Sequence, residues 1–220
     1  MSASIILIKT ACGDLDFLVP VVDKLVEAIG SGMDYVRIQN ADDIDSVLDR
    51  MRNSNYTRVI IFSHGREKEL LGADLPLSGE HGPVWLNSSD QLAVLADKEI
   101  FCLACQSQSL GGAAIESGAN AFLGFAEVPF HRFEGDEPRR EPQLEDSCKQ
   151  VIAHAAQISI MRWLIDGEPL SEVLAYFRLC VRRIVSDFAR NDRSHPQRHG
   201  VILLNLALLG CSLRMARREG

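Results

Sequence analysis

Two short stretches carry side chains able to do nucleophilic chemistry: Ser63-His64-Gly65 and Ala104-Cys105-Gln106-Ser107. Each follows an apolar run, Val59-Ile60-Ile61-Phe62 in one case and Ile100-Phe101-Cys102-Leu103 in the other. A cysteine thiolate attacks a carbonyl carbon, and a nearby imidazole activates the thiol or protonates the leaving amine. The glycine after His64 leaves a backbone N–H open as an oxyanion donor, and the N–H of Cys105 offers a second. Taken singly, a histidine is usually a satisfied polar residue and a buried cysteine a small hydrophobe. Position sets this pair apart, because in open α/β sheets ligands bind beyond the carboxyl ends of the strands.

Other groupings of metal-ligating or redox residues are weaker. Cys102 and Cys105 form a C-x-x-C, but the stretch around them reads as a buried strand, on which positions three apart face opposite sides. There is no second pair at zinc-finger spacing. His195 and His199 are four apart, with Pro196 between them and no accompanying glutamate, and read as surface histidines. No phosphate-binding glycine motif follows the first strand. The sequence therefore implies neither a metal nor an organic cofactor.

The elements that must position His64 and Cys105 are legible as an alternation. Strands are expected at Ser4–Lys9, Asp34–Ile38, Arg58–Phe62, Glu99–Ala104 and Asn120–Phe125. Helices are expected at Asp14–Ile29, with Leu18, Val22, Leu25 and Ile29 on one face and Gly30 as the stop, and at Ala41–Met51. Glu69–Leu77 and Val84–Leu86 read as a small hairpin, followed by a helix from Ser88 or Ser89 to Ala96. Ala126–Glu145, rich in Pro, Glu and Arg, reads as a long loop. Two long helices follow, about Asp146–Ile165 and Pro169–Asn191, and Val201–Leu209 is expected to supply a short helix and a sixth strand. Aliphatic strands alternating with helices indicate a parallel sheet covered on both faces.

The bulk properties narrow the function classes. At 220 residues with 46% hydrophobic residues, the chain is long enough for one sizeable core and is read as a single domain over residues 1–220. A net charge of −7 argues against non-specific nucleic-acid binding. No apolar run approaches the ~20 residues of a spanning helix, so no membrane association is expected. The six cysteines, with no secretion signal ahead of them, read as free thiols in a cytoplasmic protein.

On Val59-Ile-Ile-Phe-Ser-His64-Gly65, Ile100-Phe-Cys-Leu-Ala-Cys105-Gln-Ser, Gly111-Gly112 with Gly118-Ala119-Asn120-Ala-Phe-Leu-Gly124, and the tail His195-Pro196 with Asn205 and Leu208-Leu209-Gly210, the chain resembles the caspase-like (clan CD) cysteine peptidases, especially the bacterial CHAT type. The resemblance implies an α/β caspase-like fold: a mostly parallel six-stranded sheet with helices on both faces. It implies a cysteine endopeptidase with Cys105 as nucleophile, His64 as general acid/base, and the Gly65 and Cys105 amides as oxyanion hole. The expected substrate is a protein partner; relatives by resemblance act in bacterial defence and regulated cell death, on a gasdermin-like pore former. A sensor or activator would then be a separate protein. The alternative is a catalytically silent caspase-like scaffold binding a partner through the same crevice. Leu103 stands where caspases carry a glutamine, and Gln106 where CHAT domains carry an acidic residue, so no primary specificity transfers. Asp14 and Asp16 either line a pocket for a basic substrate residue or cap the first helix. Phe130 and Phe133, in the long loop, are candidates for one wall of the substrate groove.

Overall fold

The computed structural model describes residues 4–72, 83–87, 89–128, 142–191, 202, 206 and 208–216. Its centre is a six-stranded sheet of β1 (Ile5–Thr10), β2 (Met33–Ile38), β3 (Arg58–Phe62), β7 (Glu99–Leu103), β8 (Ala121–Gly124) and β9 (Ser212–Met215), in the order β2-β1-β3-β7-β8-β9. The first five strands are parallel to their neighbours, and β9 closes the edge antiparallel to β8. A smaller antiparallel sheet joins β4 (His64–Arg66), β5 (Glu69–Leu71) and β6 (Val84–Leu86). The helices are α1 (Val19–Ile29), α2 (Ala41–Asn53), α3 (Ser89–Leu92), α4 (Leu110–Glu116), α5 (Pro142–Leu164) and α6 (Leu170–Asn191).

The alternation of side chains along each central strand divides the interior into two cores. Leu7, Ile60, Phe62, Phe101, Leu103 and Leu123 face one way, against Val22 and Leu25 of α1, Ile152 and Trp163 of α5, and Val173 and Phe177 of α6. Ile6, Ile8, Val59, Ile61, Ile100 and Cys102 face the other, against Ile44, Val47 and Met51 of α2 and Leu110 and Ala114 of α4. The strands are aliphatic throughout because both faces are covered. Each fully buried large side chain contributes ~1.5–3 kcal/mol. Asn40 starts α2 with a capping box: its Oδ1 accepts from the Asp42 and Asp43 amides, while the Asp43 carboxylate accepts from Asn40 N.

The mostly parallel six-stranded sheet with helices on both faces is as expected, with four local differences. The first helix begins as a 3-10 turn, Gly13–Leu18, and becomes α-helical only at Val19, with Pro20 in its first turn, where a missing N–H costs nothing. The expected small hairpin gains a third strand, β4, which His64 opens and which pairs with β5. Helix α5 starts at Pro142, inside the stretch expected to be loop. The sixth strand is Ser212–Met215, beyond Val201–Leu209: it holds Arg214 between apolar neighbours and shows little apolar run, as an edge strand can. Most of Ala126–Glu145, with Phe130 and Phe133, lies outside the described residues, as do His195 and His199.

Candidate functional site

Strand β1 leads through α1 to β2 on one side, while β3, β7 and β8 continue on the other. The chain leaving β1 turns onto the α1 face, and the chain leaving β3 turns through β4–β6 toward the α2 face. Between their carboxyl ends lies a topological switch point, the place where open α/β sheets form a crevice.

His64 occupies that point. It is fully buried, two residues past the end of β3, and its Nε2 lies 2.7 Å from Sγ of Cys12, two residues past the end of β1. Cys12 is held by a tight turn: its N–H donates to the Thr10 carbonyl at 3.1 Å, and its own carbonyl accepts from Leu15 N at 3.1 Å. The Asp14 carboxylate joins them, and the sulfur, the imidazole nitrogen and a carboxylate oxygen lie within 4.8 Å of one another.

Cys105 sits past the end of β7, the strand on the other side of β3. It packs in the same core as Cys12, on the α1 face of the sheet, whereas Cys102 packs in the opposite core. The Cys105 thiol donates to the Val128 carbonyl at 3.2 Å, and its sulfur accepts from Val128 N at 3.2 Å. Gly65 brings the His64 strand onto this turn. A Cβ there would stand 2.3 Å from the Cys105 carbonyl oxygen and 3.2 Å from Ala104 Cβ, so only glycine permits the approach.

The turn after Cys105 is strained and braced. Gln106 adopts a left-handed conformation, φ 55 and ψ 9, that costs a non-glycine residue about 1–2 kcal/mol. Its N–H donates to Ala126 O at 3.0 Å. The buried Ser107 hydroxyl lies 2.8 Å from Ala104 O and 3.0 Å from Cys102 O, and accepts from Phe125 N at 3.0 Å. Backbone strain held in place by its surroundings clusters at functional sites. Outside this turn a cleft of 300 Å³ opens, lined by Glu67, Gln106, Gln108, Ser109 and Ala126. A cavity of 490 Å³ between α5 and α6, lined by residues including Val151, His154, Ile184 and Phe188, has none of these groups in its wall.

Electrostatics separate the thiols. Burial pushes the Cys102 thiol up to about 12, with the Ser107 hydroxyl opposing only in part. Burial likewise raises Cys211. The Lys9 side chain is fully buried; desolvation lowers its ammonium below the usual lysine range, and Asp16, 3.3 Å away, partly restores it. A weak electrostatic interaction with Cys12 also acts on Lys9, the smallest of the influences on its ammonium.

The sequence-derived candidates fall into three groups. His64, Gly65 and Cys105 gather at the carboxyl edge of the sheet. The Asp14 carboxylate lies near Cys12 and His64, and Asp16 pairs with Lys9; both aspartates stand in the first residues of the 3-10 turn, whose cap position is Cys12. Phe130 and Phe133 lie outside the described residues. Sequence reasoning missed Cys12 and Lys9. The signal was available: Cys12 stands as close to the end of its strand as His64 and Cys105 do to theirs.

No protein-family model matches the chain, and no curated protein matches it. Among solved structures the chain is similar to a secreted C11 cysteine protease from Bacteroides thetaiotaomicron in complex with an irreversible peptide inhibitor. The identity is 13%, the TM-score 0.41, and the match covers 82% of this chain and 59% of that one. The chain therefore spans less than two thirds of that protein's length. At this level neither activity nor site residues transfer from one protein to the other.

Proposed function

We propose that the chain is a caspase-like cysteine endopeptidase with Cys105 as nucleophile and His64 as general acid/base. One observation carries this reading: an imidazole at the switch point of the sheet, with the Cys105 turn pressed against it through Gly65. The Cys105 thiolate attacks the scissile carbonyl carbon, and the amides of Gly65 and Cys105 receive the developing oxyanion. His64 protonates the leaving amine, then takes a proton from water as water releases the acyl group from sulfur. The strained Gln106 turn and the cleft beside it support access for an extended peptide. Asp14, Phe130 and Phe133 stay candidates for substrate contacts. A protein substrate, of which a gasdermin-like pore former in bacterial defence is the type suggested by the CHAT resemblance, and a separate activator belong to the same proposal. Among the described residues no helix is long and apolar enough to cross a membrane.

A second reading is favoured by the Cys12 sulfur at 2.7 Å from His64 Nε2: Cys12, beside the buried Lys9, is the nucleophile. Incubation with a mixed peptide library, read by mass spectrometry, separates the two. Cleavage lost in Cys105→Ala and in His64→Ala but kept in Cys12→Ala supports the Cys105 assignment. Cleavage lost in Cys12→Ala and kept in Cys105→Ala transfers the role to Cys12. A purified, folded chain that cleaves nothing in the library, and takes no label from a peptide acyloxymethyl ketone, supports the silent scaffold.

A further inference from the structure

The contact between Cys12 and His64 brings a third group with it, and the three suit a purpose that peptide cleavage does not need. A thiol, an imidazole nitrogen and a carboxylate oxygen lie within 4.8 Å of one another, from positions 12, 14 and 64. Two of the three are buried: Cys12 is 3% exposed and His64 is 0% exposed. Asp14 is partly exposed, which leaves a path in from solvent.

We propose that Cys12, Asp14 and His64 form a binding site for a zinc-class divalent transition metal. Sulfur and imidazole ligands select zinc, cobalt or copper over magnesium and calcium, which prefer all-oxygen shells. Three protein ligands with a fourth position open to solvent is the arrangement of accessible zinc sites. Metal–ligand bonds of ~2.0–2.3 Å put the ligand atoms of a tetrahedral site about 3.5 Å apart. The 2.7 Å Cys12–His64 contact must then widen by about 1 Å, and Asp14 must close in on the partly exposed side. The 3-10 turn that begins at Gly13 fixes Cys12 and Asp14 relative to each other, and β1 and β3 fix that turn relative to His64. The buried ammonium of Lys9 is paired with Asp16, which offsets its repulsion of a cation.

On binding, the metal takes the lone pair of His64 Nε2 and the thiolate of Cys12, and the thiol proton is released to solvent. A metal-bound His64 cannot accept or donate a proton at that nitrogen. If His64 is the general acid/base proposed above, occupancy and catalysis exclude one another; that consequence rests on the peptidase reading, and the site itself does not.

Cobalt(II), added to full-length protein stripped with a chelator, tests the site without any assay of activity. The expected result is one cobalt per chain, with the visible bands of a four-coordinate ion and a thiolate-to-cobalt charge-transfer band, all removed by an equivalent of zinc. Cys12→Ser should abolish the charge-transfer band. Asp14→Asn, at a partly exposed position that leaves the fold in place, should keep the band and weaken cobalt affinity at least ~10-fold. Cys105→Ala should keep the spectrum. Absence of the bands in the parent protein overturns the proposal, as does a charge-transfer band that survives Cys12→Ser, or one that is lost in Cys105→Ala. Unchanged affinity in Asp14→Asn removes the carboxylate and with it the three-ligand site.

Discussion

Two thiols flank one histidine, and the structure treats them differently. Strand β3 lies between β1 and β7, so His64 has Cys12 on one side and Cys105 on the other. Cys12 sits in a relaxed turn, at φ −138 and ψ 135, and spends its sulfur on the imidazole. Cys105 sits before a left-handed Gln106, and its sulfur is held by the Val128 backbone. The side that costs conformational energy is the side with an adjoining surface cleft. The side without strain has an aspartate and a buried lysine. A thiol that bonds the imidazole in an unstrained turn is suited to holding His64, whereas one braced at strain is suited to presenting a reactive atom.

The largest effects test that division directly. On the proposed assignment of Cys105 as nucleophile, its replacement by alanine is expected to lower peptide cleavage by at least ~10³-fold. Replacing Cys12 by alanine should act in the opposite direction. It frees His64 from a contact of roughly 1 kcal/mol, so kcat/KM for a library-derived peptide should rise about fivefold. If Cys12→Ala instead falls as far as Cys105→Ala, the two thiols work as one unit and the division is wrong.

Alkylation rates sharpen the comparison by adding a thiol that belongs to neither side. Cys102 is three residues from Cys105 but on the opposite face of its strand, and its thiol is pushed up from 9.0 to about 12. A pKa raised by that much leaves about a thousandfold less thiolate at neutral pH, and the thiolate is the reacting species. Limited iodoacetamide labelling at pH 7.5 with peptide mapping should therefore modify Cys105 well before Cys102. Raising the pH should increase Cys102 labelling throughout the range up to about 12, because only there does its thiol ionise. Equal labelling of Cys102 and Cys105 at pH 7.5 contradicts the assignment of faces.

Gly65→Ala probes how the two sides are joined. Its Cβ would stand 2.3 Å from the Cys105 carbonyl oxygen, a backbone atom that cannot swing aside. Relief requires the β4 strand or the Cys105 turn to move, at a cost typical of overpacking, ~1–3 kcal/mol in urea unfolding. Misplacement of the reacting groups by about 1 Å is expected to lower cleavage about 10²-fold. His64 opens β4, so cobalt binding should weaken along with cleavage where β4 gives way, and should be kept where the Cys105 turn gives way instead. A variant with full activity would show that the Gly65 approach is incidental.

The parts of this site that were legible from sequence share a property: local pattern determines them. Val59–Phe62 and Ile100–Leu103 are aliphatic on both faces, so they read as central parallel strands, and the residues just past them read as crevice residues. The two cysteines of the C-x-x-C lie in opposite cores, as the alternation along a strand requires. What was missed depends on contact across the sheet. Cys12 and His64 are 52 residues apart and meet only because β1 and β3 are neighbours in register, Lys9 opposite Phe62. Lys9, ending an apolar strand, is fully buried and pairs with Asp16, which the sequence pattern does not bring to it. The edge strand β9 was misplaced because it gains its partner from β8 rather than from its own hydrophobicity.

The smallest expected effect separates the two turns by stability rather than by rate. At Gln106, glycine would remove the left-handed penalty but add chain entropy to the unfolded state, and the balance favours the variant by roughly 0.5–1 kcal/mol. For a domain of this size that is a rise in Tm of about 1–4 °C. The same change loosens the turn that aims Cys105, so cleavage should fall severalfold while stability increases. The Cys12 side supplies the control. Gly13, the residue after Cys12, does not have a positive φ, and a Cβ there meets nothing within 4 Å. Gly13→Ala should therefore stabilise by up to ~1 kcal/mol, through the unfolded chain alone, without lowering cleavage. Differential scanning calorimetry of the two variants, paired with peptide cleavage, checks both halves. If Gln106→Gly gains stability and loses no activity, the strain beside Cys105 has no part in presenting the thiol, and the distinction between the two sides of His64 must rest on their hydrogen bonds alone.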